Sequence, residues 1–291
     1  MSNLAILFAL GAALSWALTQ VLTKTGLQRM SLISYAAFRP LFALVFIVPY
    51  GFLTGGFDFV GPWLIGIGVI SGIMDAFLGS MLYFYAIRKS SAHESASLAN
   101  TAPFWGVVTA VLFLGEEPKA VVFIAAVLVV SGAYFLITRQ GGPSGGHSIW
   151  GTLPALGSGV LWGVVETVPA KFCLNQGMAP ISYQLILVST AAVSWTLLAT
   201  LSKKHELKFS YPLRDLGVAM VTAFTGFFLG WTLWLSGLQM APASLLAPIR
   251  GSMTLFAFLL SIILLRERPT ARSAVGVLLT FGGVFLVSVF G

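Results

Sequence analysis

The chain has 291 residues, of which 57% are hydrophobic and only 9% charged, where a soluble domain carries roughly 25% charged residues. So little charge cannot cover a globule of this size with polar surface, and 13% aromatic residues excludes a disordered chain. The solvent that this composition demands is lipid, and the formal charge of +7 is explained by basic loops on one membrane face without invoking nucleic acid.

Apolar runs bounded by charge, glycine and proline predict ten helical spans, at about 4–22, 32–53, 62–87, 95–114, 119–138, 149–170, 180–201, 214–237, 242–265 and 271–290. The first lacks a charged leader and is too long for a signal-peptide core, so it is read as a span. Spans three and four are joined by the polar run Arg88 to Glu94. There His93 and Glu94 open a helix whose N-terminus suits a carboxylate, with a pH-sensitive gate as the alternative. Gly141-Gly142-Pro143-Ser144-Gly145-Gly146 is the one linker-like stretch. Span six is interrupted by Glu166 and Pro169, and span nine by Pro248 and Arg250; Pro248 is expected to kink its helix. None of the spans alternates in polarity every second residue, which excludes a β-barrel reading.

The two halves of the chain resemble each other. Leu7-Phe8-Ala9-Leu10-Gly11 leading to Trp16 parallels Leu153-Pro154-Ala155-Leu156-Gly157 leading to Trp162, and Ile33-Ser34-Tyr35 parallels Ile181-Ser182-Tyr183. Ala96-Ser97-Leu98 parallels Ala243-Ser244-Leu245, Glu116-Glu117-Pro118 parallels Glu267-Arg268-Pro269, and Gly132 parallels Gly283. An odd number of spans per half makes the second copy enter the membrane from the opposite side. The expected fold is therefore an all-α membrane protein of ten transmembrane helices, arranged as two inverted five-helix repeats around a central cavity. Residues 1–140 form the first repeat and 147–291 the second, within one integral transport domain.

Leu14-Ser15-Trp16 with Lys24, Arg39, Pro103 followed by Gly115-Glu116, Gly132, Glu267 and Gly283 occur in an order that resembles the drug/metabolite transporter superfamily, specifically its ten-span EamA-type members. The resemblance covers essentially the whole chain. It implies a secondary transporter of small organic metabolites, often an exporter, with a cavity formed by both halves. The second half departs from the pattern, since Arg266 stands where Gly115 stands in the first.

Of the 16 Lys and Arg residues, Arg39 and Arg250 fall inside spans, and the other 14 divide 12 to two between the loop faces. The sparse face holds only Lys119 and Lys171, together with both termini. The bias puts the termini outside the cell, whereas the family resemblance implies termini inside. An inner-membrane, multi-pass location follows from either.

Charges in hydrocarbon cost about 2.5–3.5 kcal/mol each on insertion scales, so Arg39, Asp75, Glu166 and Arg250 form the shortlist for function. Asp75 paired with Arg39 or Arg250 would be a structural lock. The functional expectation sets Arg250 on one cavity wall and Glu166 on another, to hold the carboxylate and ammonium of a zwitterion such as an amino acid. Proton coupling is assigned to Asp75 or Glu166, with Arg39 as a coupling or ion-pair partner. Trp16, Gln20, Asn100 and Trp162 complete the candidate substrate site, and Thr101 and Ser252 are further hydrogen-bonding candidates. Trp63, Trp150 and Trp231 are read as interfacial anchors; Glu116, Glu117 and Glu267 as solvated charges at span ends; Gly66-Ile67-Gly68 and Gly282-Gly283 as close helix contacts.

No cofactor, metal or nucleic acid is expected. His93, His147 and His205 stand far apart, and Cys173 is the single cysteine. The expected partners are a small-molecule substrate, the bilayer and protons, with the chain a monomer or loose dimer. An exporter of lipophilic cations is the alternative within transport, and a membrane enzyme or scaffold outside it. No HExxH pattern is present to favour the enzyme.

Overall fold

The computed structural model describes residues 3–58, 61–89, 98–137, 149–202, 211–265 and 270–291. His93, Glu94, the 141–146 linker, His147, His205 and Glu267 lie outside them, as does the side chain of Trp150. The described residues are helical, with no strand among them. They form α1 (Asn3–Arg29), α2 (Leu32–Leu53), α3 (Pro62–Ser71), α4 (Ser80–Lys89), α5 (Ala102–Leu114), α6 (Ala120–Ile137) and α7 (Ile149–Asn175). Then follow α8 (Pro180–Leu201), α9 (Leu213–Thr222), α10 (Trp231–Met240), α11 (Ala243–Arg250), α12 (Met253–Leu265) and α13 (Ala271–Phe290).

Seven helical stretches among the described residues are long and apolar enough to cross a membrane, and Ala102–Leu114 and Ala120–Phe135 are shorter apolar helices. α7 is not among the seven despite its 27 residues. Glu166, Lys171, Pro154, Pro169 and its glycines dilute its apolar content.

Predicted spans three and eight are not uniform α-helices. A π-helical segment, Gly72–Gly79, separates α3 from α4, and a second, Ala223–Gly230, separates α9 from α10. Such segments are uncommon and cluster at functional sites. Both are glycine-bounded on the side that receives a tryptophan. A Cβ on Gly79 would lie 2.7 Å from Trp162 Nε1, and one on Gly230 2.5 Å from Trp16 Nε1. Span nine breaks as expected, but at Gly251–Ser252, between α11 and α12, beyond Pro248. There a Cβ on Gly251 would collide with Val129 and Pro103.

The first helix of each half packs mainly on the other half. α1 runs against α9, the second π segment, α10, α11 and α12, while α7 runs against α3, the first π segment, α4 and α5. Ala5, Ala9, Ala12, Ala13 and Ala17 are fully buried along α1, and this helical stripe of methyl groups allows close backbone approach. α6 and α13 form a separate seam. On α13 the buried stripe is Ser273, Gly276, Thr280, Gly283 and Val287, while Leu278, Phe281 and Phe285 are exposed. Small residues inward and large apolar ones outward is the pattern of a helix surrounded by lipid. Gly68 and Gly283 are close contacts as expected, against Ile186 and against Ala125 and Val129, whereas Gly66 and Gly282 face open space.

The loop face that carries few cations uses its charges to finish helices. Lys171 Nζ donates to the Leu238 and Ala241 carbonyls at the end of α10, at 2.5 and 3.1 Å. Lys119 Nζ donates to the Phe290 carbonyl at the end of α13. Glu116 follows Gly115, which closes α5 at φ +65° where a side chain would be strained. The Glu116 carboxylate accepts from the Ala243 and Ser244 amides, both at 2.8 Å. Glu116 is thus a cap for α11 supplied from a distant loop, and the reading of it as a merely solvated charge is corrected. Glu116→Ala is expected to lower stability by about 1 kcal/mol, read as a lower melting temperature in detergent; an unchanged melt would mean that water caps α11 equally well.

Candidate functional site

α1, α2, α4, α7, the two π segments and the α11–α12 break enclose a cavity of about 530 Å³, within the range of small-molecule sites. Its lining extends to Gln28, an exposed residue at the end of α1. Its inner end is closed by tryptophans: the Trp16 ring centroid lies 6.1 Å from those of both Trp231 and Trp234. Trp16, Gln20, Arg39, Asp75, Asn100, Trp162, Glu166 and Arg250, the eight residues singled out from the sequence, all line this one cavity. Thr101 and Ser252 do not; Thr101 bonds the Leu98 carbonyl and receives the Trp105 indole N–H.

The two repeat-matched tryptophans make matched bonds. Trp16 Nε1 donates to the Gly226 carbonyl at 3.0 Å, and Trp162 Nε1 to the Asp75 carbonyl at 3.2 Å. Each half thereby sends a tryptophan into the other half's π segment and holds its backbone at the cavity wall. The second π segment is also held from behind, where Gln184 Nε2 donates to the Phe227 and Phe228 carbonyls at 2.7 and 2.8 Å.

The charges are not arranged as expected. Arg250 and Glu166 do not face each other across an empty cavity: Arg250 donates to Glu166 Oε1 at 2.5 Å, and both are buried. The Arg250 guanidinium also stacks 5.0 Å from the Trp16 ring. The backbone carbonyl of Glu166 is fixed by Trp234 Nε1 at 2.6 Å. The predicted lock of Asp75 with Arg39 or Arg250 is not formed as a direct salt bridge, although the charges of Arg250 and Glu166 both act on Asp75. Asp75 is 5% exposed, its Oδ1 has no hydrogen-bond partner, and no ion pair to it occurs among the described residues. Arg39 lies under aromatic rings, 5.0 Å from Phe227 and 5.6 Å from Tyr35, and its Nε is buried without a partner. The cavity therefore holds two acids and two bases, of which Glu166 and Arg250 form a salt bridge while Asp75 and Arg39 form none.

Trp231 is a second correction. It is 3% exposed and lines the cavity, following directly on the second π segment; Trp63, 54% exposed, sits as an interfacial anchor would. Sequence reading missed Thr19, Tyr83, Phe227 and Trp231 in the lining. The 151-residue offset that aligns Gly132 with Gly283 also aligns Gly79 with Gly230 and Asp75 with Gly226. Applied to spans three and eight, it would have marked the second π segment as the counterpart of the one that carries Asp75.

The EamA-like transporter family model matches residues 3–138 and again 149–289. The chain belongs to the EamA-like transporter family. An Archaeoglobus fulgidus protein described as an uncharacterized transporter is 23% identical over 290 residues, spanning 98% of each chain. The Bacillus subtilis uncharacterized transporter YvbV is 29% identical over 142 residues, 48% of this chain and 46% of its own. A crystal structure of a protein 19% identical in sequence superposes with a TM-score of 0.82 over 99% of this chain and 97% of the other, a likeness of fold. This EamA-family chain is thus an integral membrane transporter. Its candidate site is a cavity to which both segments matched by the family model contribute.

Proposed function

We propose that this EamA-family transporter is a secondary carrier that exports small zwitterionic metabolites, amino acids among them, by alternating access in exchange for protons. One observation carries the reading: a cavity with two acids and two bases, in which Glu166 and Arg250 form a salt bridge while Arg39 and Asp75 form none. A neutral molecule bearing both signs completes such a site, whereas a net charge of either sign would meet repulsion from one of the two. The volume of about 530 Å³ accommodates an amino acid. A lipophilic cation suits Asp75 and the aromatic lining, but not Arg39 on the same wall.

In this reading the chain forms ten spans in two inverted five-helix repeats, residues 1–140 and 147–291, and the cavity lies at their interface. The exchange of first helices between the halves and the reciprocal bonds of Trp16 and Trp162 support it. The cavity lining reaches the exposed Gln28 at the end of α1, on the loop face that the charge count gives 12 of the 14 loop cations. The two exceptions, Lys119 and Lys171, cap helices. The positive-inside bias therefore makes this a cytoplasm-facing, export-loading state with both termini outside. Asp75 takes the substrate's ammonium group or a proton in turn, and this alternation couples the two fluxes.

Counterflow of radiolabelled L-leucine in proteoliposomes tests the proposal, with other neutral amino acids as competitors. The unmodified protein is expected to exchange leucine and to respond to a pH gradient. Asp75→Asn is expected to lower exchange by about tenfold or more, the order expected for loss of one charge-assisted contact, and to abolish the pH response. Folded protein that exchanges no neutral amino acid under any pH gradient would overturn the zwitterion reading. A pH response kept by Asp75→Asn would move the coupling to another group.

A further inference from the structure

We infer that Arg39 is the docking group for the substrate's carboxylate, a role that the sequence assigns more readily to Arg250. The inference rests on the zwitterion reading above and deepens it. Arg250 is already salt-bridged to Glu166 at 2.5 Å and stacked on Trp16, so its charge is largely compensated and a carboxylate gains less there, although its Nε has no partner. Arg39 has no such engagement: no salt bridge or hydrogen bond to a carboxylate or carbonyl oxygen holds it among the described residues, and it is this missing acid, not the orphaned Nε that both arginines share, that sets it apart. Two aromatic faces, Tyr35 and Phe227, hold the guanidinium in place without using its donors.

The surroundings are built around this arrangement. Tyr35 is fixed by its hydroxyl, which donates to Thr222 Oγ1 at 2.9 Å. Position 226 carries no side chain, and a Cβ there would lie 3.1 Å from an Arg39 terminal nitrogen; glycine leaves the fork its space. An unpaired guanidinium at membrane depth is costly unless it serves a ligand or a water-filled path, and Arg39 lines the cavity. Its planar fork matches a carboxylate with two parallel hydrogen bonds. A phosphate is disfavoured because Asp75 lines the same cavity and would repel a dianion. The ligand chemistry that fits is a single carboxylate on a molecule whose ammonium group reaches Asp75.

Three probes that share a carbon skeleton test this: L-leucine, isoamylamine, which lacks the carboxylate, and 4-methylpentanoate, which lacks the ammonium. Their affinities are measured by competition against radiolabelled leucine or by thermal shift, on the unmodified protein and on Arg39→Gln and Arg39→Lys. Arg39→Gln is expected to weaken L-leucine and 4-methylpentanoate by about tenfold or more while isoamylamine binds at least as well as before. Arg39→Lys keeps the charge but not the fork, so an intermediate loss is expected, and it keeps the test readable if the glutamine variant does not fold. Leucine binding unchanged in Arg39→Gln would overturn the inference and leave the zwitterion reading standing. Equal loss of leucine and isoamylamine would also overturn it, since Arg39 would then shape the cavity and not bind the carboxylate. Failure of the unmodified protein to bind leucine or any competing neutral amino acid would remove both.

Discussion

Glu166→Leu is expected to destabilise the protein by about 3–5 kcal/mol, and Arg250→Met by a similar amount, because each leaves the other member of a buried ion pair uncompensated. Replacing both at once is expected to recover most of the loss, since two apolar side chains of similar volume need no partner. The geometry makes the effect large. Both residues are less than a tenth exposed, the Arg250 donor sits 2.5 Å from Glu166 Oε1, and the guanidinium stacks on Trp16. The measurement is simple because Cys173 is the chain's single cysteine and is fully buried. A thiol-reactive fluorogenic dye then reports unfolding through one site. Single variants that melt with the unmodified protein would show that the pair carries no structural weight, and a double variant as unstable as the sum of the singles would show that the two side chains contribute independently and not as a pair.

The seam between α6 and α13 provides the second large effect. A Cβ on Gly132 would stand 2.7 Å from the Thr280 backbone nitrogen and 2.8 Å from the Gly276 carbonyl oxygen, and one on Gly283 would stand 2.7 Å from the Ala125 carbonyl oxygen. These neighbours are backbone and cannot rotate away. Gly132→Ala is expected to cost about 1–3 kcal/mol, as overpacking does, and Gly132→Leu more, because the helices must separate along their length. Gly282→Ala is the matched control: its Cβ would meet nothing, so its melting temperature should not fall. Equal behaviour of the Gly132 and Gly282 variants would mean that the seam tolerates separation and that its close approach is incidental.

Particular residues show what could be read in advance. Arg39, Asp75, Glu166 and Arg250 stood out because charge in an apolar span is expensive, and Trp16 and Trp162 because they recur at matched places; both signals are local and survive without coordinates. Trp231 was misread because its neighbours suggest a span end, and only the tertiary structure shows it buried in the cavity lining. Glu116 was misread because its partners, Ala243 and Ser244, are more than a hundred residues away. No spacing rule connects a loop carboxylate to a helix start in the other half.

The sequence by itself determined the solvent, the all-helical class, the family resemblance and the identity of the cavity charges, since these follow from composition, periodicity and the energetic cost of each polar group in lipid. Only the tertiary structure decided the partnerships. Which of two arginines meets Glu166 depends on how α7, α11 and α2 cross, and a crossing is set by glycine contacts and π segments that hydropathy does not record. That choice joined Arg250 to Glu166 in a salt bridge and left Arg39 and Asp75 without one in the cavity lining. The four charges within the helices are thus one salt-bridged pair and two groups outside it that line the same cavity.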